Sequence, residues 1–313
     1  MKRTVMLIVL LAMPFLMGAQ RLDAPVTQPP DPGAGTPTFR SQADLVVVHA
    51  TVRDDRGRHV SGLPQQAFRV FENGVARPIS VFGNQHEPVT LGLVLDVSGS
   101  MEPMRERLAY AASAFAGAGR TDDEVFAIIV GDRPVHVLPD SVPFTSDPQA
   151  LRTAIVQAHR PGGMTALYDA VAAGLEHLER GSHARRALVV ISDGIDNASH
   201  IRFDDALQRA LASNAAIYAV GLVDPVALTR DPGHLRRLAR ATGGDAYFPS
   251  TNIAAFSSLR QIADDIHQSY ALGFTPAGTT ASGARHRLDV SVRTADGGTL
   301  KVRAREGYVA GPQ

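Results

Sequence analysis

The sequence predicts an α/β fold, a doubly wound and mostly parallel sheet, with a small β unit built from N- and C-terminal strands. Between Val89 and His267 short apolar runs alternate with segments of helical periodicity, the pattern of a parallel sheet covered by helices. Leu91–Leu95 and Leu188–Ile191 are continuously apolar, as in strands buried on both faces. On either side of this region the chain is rich in strand-forming residues and has no helical pattern.

The apolar runs and the helical periodicity predict the individual strands and helices. The predicted strands of the α/β region are Thr90–Val97, Glu124–Val130, Val135–Leu138, Ala187–Ser192, Ala216–Val220 and Ala246–Phe248. The predicted helices are Met104–Phe115, Pro148–Val156, Ala166–Leu178, Asp204–Ala212, Gly233–Ala241 and Ile253–His267. Asp147-Pro148 and Asp231-Pro232 are helix starts, because a capping carboxylate precedes a proline at the first helical position.

The flanking β segments are too short to fold alone. Leu45–Val52 reads as a strand, and Phe68–Phe71 and Ile79–Phe82 read as a hairpin around Asn73-Gly74. After Tyr270 the strand pattern returns in Ala271–Thr275, Leu288–Arg293 and Leu300–Arg305. Since neither group has enough strands to be stable by itself, we expect the two to join in one composite sheet.

The N-terminus has the pattern of an export signal. Lys2 and Arg3 precede an apolar run from Val5 to Met17, and small residues follow at 18 and 19. The run is shorter than the roughly 20 residues a membrane-spanning helix needs, although an uncleaved anchor stays open. We therefore expect a signal peptide over 1–19, a linker over 20–43, an N-terminal β unit over 44–86, the α/β domain over 87–268 and C-terminal strands over 269–313. A cleaved chain would be periplasmic or secreted, without a membrane span.

Composition excludes several classes of function. The 313 residues hold 31 basic and 31 acidic side chains, so the formal net charge is +0 and nothing favours nucleic acid as a partner. There is no cysteine, which excludes disulfides, thiolate metal sites and a cysteine nucleophile. The sequence around Ser98 and Ser100 is not a nucleophile elbow, and no phosphate-binding glycine loop is present. We therefore expect that the protein is not an enzyme.

Three polar segments fall where ligands bind in such a fold, at the carboxyl ends of the parallel strands. They are Asp96-Val97-Ser98-Gly99-Ser100, Gly162-Gly163-Met164-Thr165 and Ser192-Asp193-Gly194. The candidate ligands among them are two carboxylates, Asp96 and Asp193, and three hydroxyls, Ser98, Ser100 and Thr165. Hard oxygen donors of this kind suit Mg²⁺ or Mn²⁺. Taken singly, Thr165 could instead cap the following helix, and Asp193-Gly194 could be a plain turn. Asp169, Gly99 and Gly163 are candidates for supporting the site, although Asp169 could also lie on a solvated helix face.

At these residues the sequence resembles the von Willebrand factor type A domain and its metal-ion-dependent adhesion site. That pattern is Asp-x-Ser-x-Ser on one loop, a Thr on a second and an Asp on a third. It reads here as Asp96, Ser98, Ser100, Thr165 and Asp193. The resemblance implies a Rossmann-like sheet, direct metal ligation by the three hydroxyls, and action of the two carboxylates largely through coordinated water.

The flanks are similar to an exported bacterial subgroup of that family. The motifs that carry this resemblance are Phe68–Gly74, Tyr270–Phe274 and Arg305–Tyr308. The resemblance implies an exported, Mg²⁺-dependent adhesion or interaction module, in which an Asp or Glu carboxylate of a protein ligand completes the metal site. Two alternatives stay open: a metal-dependent phosphate or ester hydrolase on the same fold, and a structural envelope protein whose site is vestigial.

Overall fold

The computed structural model describes residues 45–83, 87–104, 119–158, 163–222, 232–277, 283–294 and 300–310, with single positions at 108, 115, 117 and 298. The predicted signal peptide and linker, most of the predicted helix Met104–Phe115, Gly162 and Asp231 lie outside the described residues.

The described residues form fourteen strands, numbered in chain order. They are β1 Val46–Arg53, β2 Phe68–Glu72, β3 Val75–Arg77, β4 Val81–Gly83, β5 Val89–Asp96, β6 Glu124–Val130, β7 Pro134–His136, β8 Arg185–Ser192, β9 Ala216–Gly221, β10 Ala246–Tyr247, β11 Tyr270–Phe274, β12 Arg285–Val292, β13 Lys301–Ala304 and β14 Gly307–Val309. The described α-helices are α1 Pro148–Ala158, α2 Leu167–Leu178, α3 Phe203–Ala212, α4 Pro232–Thr242 and α5 Asn252–His267.

A six-stranded sheet in the order β10-β9-β8-β5-β6-β7 forms the centre of the α/β region. All its neighbouring pairs are parallel except β6 with β7. Every residue of β5 is buried, as its continuous apolar run predicts. Apolar clusters cover both faces, one including α5 and the other including α2, α3 and α4. This confirms the predicted α/β class with a mostly parallel sheet.

Two helix starts show why the sequence folds in this way locally. The Asp147 carboxylate accepts a hydrogen bond from Gln149 N at 2.8 Å, which caps α1. The Thr251 hydroxyl accepts one from Ala254 N at 3.1 Å and caps α5.

Among the described residues, no helix has the length and apolar composition that crossing a bilayer requires.

The terminal strands form two sheets, so the expectation of one composite sheet is wrong. One sheet has the order β13-β1-β11-β4 and the other β14-β12-β2-β3, and each contains strands from both ends of the chain. The two sheets share an apolar cluster in which Phe68 contacts Tyr270 with ring centroids 4.7 Å apart. A single sheet would leave one apolar face of these strands in water, whereas two sheets bury their apolar faces together.

The hairpin around Asn73-Gly74 has a different second strand from the one predicted. Asn73 and Gly74 have φ of 51° and 82°, so the two-residue turn pairs Glu72 directly with Val75. The returning strand is therefore β3, whereas Val81–Gly83 forms β4 in the other sheet and pairs with β11.

Replacing Gly74 by alanine should lower the free energy of unfolding by about 1 kcal/mol, because a Cβ disfavours the positive φ of this turn. Urea denaturation measures the change. Gly74→Asn should restore most of the loss, since asparagine tolerates this backbone conformation. An alanine variant as stable as the wild type would contradict the assignment of the turn.

Buried polar contacts join the β sheets to the α/β region. Asp265 on α5 is fully buried and lies against Arg53 of β1 at 2.5 Å, His59 Nε2 at 2.8 Å, and Arg303 of β13. The guanidinium of buried Arg185, on β8, donates to Ser269 O at 3.1 Å at the start of the C-terminal strands. These contacts tie strands from both ends of the chain to α5 and to β8 of the α/β region.

Candidate metal site

Three loops meet at the carboxyl-terminal edge of the central sheet. The first follows β5 at Asp96 and the third follows β8 at Ser192, and these two strands are parallel neighbours. The second loop runs through Gly163 to Thr165 and leads into α2. The fold therefore brings together the three segments that the sequence places at this edge.

Hydrogen bonds join each pair of these loops. The connections run from Gly99 N to Gly163 O at 3.2 Å, from Ser192 Oγ to Asp96 Oδ2 at 2.6 Å, and from Thr165 N to Asn197 Oδ1 at 2.7 Å. Protein groups alone thus fix the arrangement of the loops that carry the five predicted ligands.

The predicted ligands lie at different depths. Asp96, Ser98, Thr165 and Asp193 are buried, and Ser100 is exposed. The hydroxyl oxygens of Ser98 and Ser100 are 3.2 Å apart. The site therefore has a buried base and opens to solvent on the side of Ser100.

Asp96 is the least accessible of the five, with none of its surface exposed. Burial and the neighbouring Asp193 carboxylate raise its pKa to about 6, against the lowering effect of hydrogen bonds from Ser192 and Ser98. Among the described residues, neither Asp96 nor Asp193 forms an ion pair. A buried carboxylate is costly unless hydrogen bonds or a cation compensate its charge, and for Asp96 the described residues supply hydrogen bonds only.

The donor set fits a small divalent cation. Adjacent ligands of an octahedral Mg²⁺ stand about 3 Å apart, close to the separation of the two serine hydroxyls. Two carboxylates and three hydroxyls are hard oxygen donors, which favours Mg²⁺ or Mn²⁺ over softer metals. Within the described part of the chain, no cluster of three or more His, Asp or Glu side chains forms a separate metal site.

The alternative role of Thr165 as a helix cap is not what the structure shows. Ala166 occupies the N-cap position of α2 and has no capping side chain of its own. The Ser199 hydroxyl, from beyond the third loop, accepts hydrogen bonds from Tyr168 N at 3.0 Å and Asp169 N at 3.1 Å in the first turn of the helix. The Thr165 hydroxyl forms no hydrogen bond with the described residues and is free to act as a ligand.

The residues expected to support the site have distinct roles. Gly99 links the first two loops through its backbone. Gly163 has a φ of 91°, and a Cβ there would lie 2.7 Å from Asp132 Oδ1. The Asp169 side chain forms no hydrogen bond with the predicted ligands, all of which are described. Its carboxylate accepts hydrogen bonds from His200 N at 3.0 Å and Ile201 N at 3.2 Å, so it holds the chain that follows the third loop.

Sequence reasoning assigned no supporting role to three side chains that the structure places at the site. Ser192 bonds Asp96, Asn197 bonds the backbone of Thr165, and Asp132 accepts a hydrogen bond from Met164 N at 2.6 Å. Ser192 adjoins a predicted ligand, which is the only sequence signal for it. Asp132 and Asn197 act on segments 32 residues away in the chain, and no local pattern marks them.

One family model matches part of the chain. Residues 91–195 match the family model described as von Willebrand factor type A domain, and this range includes all five predicted ligands. Over this range the chain is similar to a von Willebrand factor type A domain. No curated protein matches the chain.

Several solved structures are similar to parts of the chain. A von Willebrand factor type A protein from Catenulispora acidiphila is 13% identical with a TM-score of 0.50, covering 88% of this chain and 76% of that protein. Proximal thread matrix protein 1 from the mussel byssus is 12% identical with a TM-score of 0.50, covering 61% of this chain and 49% of that protein. An aerotolerance-related membrane protein from Bacteroides fragilis is 18% identical with a TM-score of 0.44, covering 56% of this chain and 98% of that protein. At such low sequence identities, structural similarity is evidence about the fold alone.

Proposed function

We propose that the protein is an exported, Mg²⁺-dependent protein-binding module, and that an acidic side chain of its partner completes the metal site. One observation carries this proposal: the fully buried Asp96 carboxylate has no cationic partner among the described residues and lies with four other oxygen-bearing side chains on three interlinked loops. Type A domains are typically protein-interaction modules, which supports the same function.

The hydroxyl and carboxylate side chains would have different roles in binding the cation. Ser98, Ser100 and Thr165 would supply hydroxyl ligands, and Asp96 and Asp193 would compensate the charge, largely through coordinated water. The bound cation would supply a coordination position that attracts a carboxylate. Ser100 and the 52% exposed side chain of Met164 stand on the solvent side, where a partner would approach. We assign the site no catalytic role.

Titration calorimetry of Mg²⁺ and Mn²⁺ into chelator-treated protein tests the site. The wild type should show a single binding site, which Asp96→Ala should abolish. Ser192→Ala should weaken binding about 10- to 100-fold, because Ser192 orients the Asp96 carboxylate. Ser182→Ala is the matched control, since Ser182 bonds Glu124 away from the site and its loss should leave metal binding unchanged. Equal affinity in wild type and Asp96→Ala would reject the site.

Export is the second part of the proposal and follows from the basic and apolar N-terminus. The mature chain should begin near Gln20, in the periplasm or outside the cell. Mass spectrometry of the protein from fractionated cells measures this directly. Recovery of only the full-length chain in the cytoplasm would contradict export.

A further inference from the structure

A wide groove lies between α4 and the terminal strands β12 and β13. It encloses about 850 Å³ and continues into a neighbouring depression of about 660 Å³ that shares Arg285, Leu288, Asp289 and Glu306 with it. The larger part is lined by six arginines: Arg236, Arg237, Arg240, Arg285, Arg303 and Arg305. Arg287 lines the smaller part. We call the two parts together the arginine groove.

The arginine groove carries excess positive charge. Its larger part sets six arginines against three carboxylates, those of Asp245, Asp289 and Glu306. Arg237 and Arg303 also pair with Asp204 and Asp265 outside the lining, so the formal net charge with these two carboxylates is +1. In the described part of the chain, Arg236, Arg285 and Arg287 are exposed and have no carboxylate within ion-pair distance. Arg236 rests on the ring of Phe248 at 4.3 Å, which holds its guanidinium in place without neutralising it.

Buried Arg305 adds to this charge. Its guanidinium donates to the carbonyl oxygens of Leu211 at 2.6 Å and Gly307 at 2.8 Å, and no described carboxylate pairs with it. Burial lowers its pKa to about 10, so it remains charged at neutral pH. An anion in the groove would meet a positive charge that the fold itself leaves without a counterion.

The arginine groove and the metal site are at opposite edges of the central sheet. The groove is lined by Ala241, Gly244 and Ala246, where α4 ends and β10 begins, at the amino-terminal edge of the parallel strands. The metal site lies where β5 and β8 end, at the carboxyl-terminal edge. A ligand in the groove would therefore bind independently of the cation.

The lining selects among anions. Guanidinium groups pair with carboxylates and phosphates alike, but the three interspersed carboxylates would repel a polyphosphate, which is charged at every unit. Half-buried Val290 and Val302 also line the groove and suit apolar side chains between charged ones. The groove is concave, which does not match a flat bilayer surface.

The backbone around the groove suits an extended ligand. β13 contributes Val302, Arg303 and Ala304 to the lining and pairs with β1 on one side. Among the described strands, none pairs with its other side, so β13 is an edge strand of its sheet. Edge strands receive extended peptides through backbone hydrogen bonds, with alternate side chains giving specificity.

We propose that the arginine groove binds an extended peptide segment of a partner protein in which acidic and apolar residues alternate, independently of the metal site. Its acidic side chains pair with Arg236, Arg285 and Arg287, and its apolar side chains contact Val290 and Val302.

Fluorescence anisotropy with a labelled ten-residue peptide of alternating Glu and Val tests this proposal on the full chain. EDTA is present throughout, so that the peptide carboxylates cannot bind at the metal site. We expect binding that weakens with added salt and exceeds that of a Gln-Val peptide at least tenfold. The triple variant Arg236→Gln, Arg285→Gln, Arg287→Gln should bind about tenfold more weakly, because each lost pair contributes modestly.

A second triple variant controls for net charge. Arg69, Arg152 and Arg260 are exposed, lie outside the arginine groove and form no ion pair with the described residues, so their replacement by Gln should leave binding unchanged. Melting curves of both variants should match the wild type. Equal weakening in the two triple variants, or equal binding of the Glu-Val and Gln-Val peptides, would overturn the proposal. Complete displacement of the peptide by inorganic phosphate at equal concentration, or stronger binding to anionic phosphatidylglycerol vesicles, would also overturn it in favour of those ligands.

Discussion

Replacing Asp265 by alanine should lower the free energy of unfolding by about 3–5 kcal/mol, the usual cost of removing one partner from a buried ion pair. The Asp265 carboxylate is fully buried and contacts Arg53, His59 and Arg303. Without it, two guanidinium groups that are only 18% and 25% exposed lose their shared counterion. Because those arginines stand on β1 and β13, the loss should weaken the attachment of the terminal strands to α5. Urea denaturation with intrinsic tyrosine fluorescence measures the change.

Asp264 provides the matched control one position earlier on the same helix. Its side chain is exposed, so Asp264→Ala removes the same group and charge without breaking a buried contact. Its effect should stay within about 0.5 kcal/mol. If the two variants lose equal stability, the buried cluster does not hold the strands to the helix.

The cluster of Asp265 with Arg53, His59 and Arg303 should also make the free energy of unfolding depend on pH under acidic conditions. Burial alone would raise the pKa of Asp265, but the contacts with His59, Arg303 and Arg53 outweigh it and hold the pKa below its ordinary value of 3.8. A lowered folded-state pKa stabilises the protein above the unfolded-state value, and this contribution is lost as the pH falls through the folded-state value. Asp123 beside His267 has a lowered pKa as well and acts in the same direction. The stability of the wild type should therefore fall more steeply below about pH 4 than that of Asp265→Ala.

The parts of the fold that could be predicted are those fixed by local pattern. Leu91–Leu95 in β5 and Leu188–Ile191 in β8 are continuously apolar because both faces of these strands are covered, and that is visible in the sequence without knowledge of their neighbours. The terminal sheets depend on pairing between β1 and β11 and between β2 and β12, which lie over 200 residues apart. Apolar alternation shows that such strands need a partner but does not say which one. The single-sheet expectation failed for that reason.

The site shows the same division between local and long-range information. The five predicted ligand positions belong to a spaced motif, and the fold brings their three loops to one edge. The side chains that orient them, such as Asp132 for the second loop and Ser192 for Asp96, act through bonds that only the folded chain creates. The buried cluster at Asp265 was unpredictable too, because an aspartate near the end of a helix reads as a solvated charge.

The other large effect concerns metal removal. If the site binds an acidic side chain through the cation, chelation should release the partner completely and leave the fold nearly unchanged. The reason is that hydrogen bonds among Gly99, Gly163, Asp96, Ser192, Thr165 and Asn197 hold the loops together without any cation. A partner captured from envelope extract in Mg²⁺ would be assayed with and without EDTA, alongside a melting curve under each condition.

Thr165→Ala separates binding from folding at the same site. The substitution removes a hydroxyl ligand but keeps the backbone bond from Thr165 N to Asn197, so stability should change by less than about 1 kcal/mol. Partner affinity should fall at least about tenfold, since a ligand to the cation is lost. Thr153→Ala, on the exposed face of α1, is the matched control and should leave affinity unchanged. Binding that survives EDTA, Thr165→Ala and neutralisation of each Asp and Glu in the partner's interface would show that this edge of the sheet is not the binding surface.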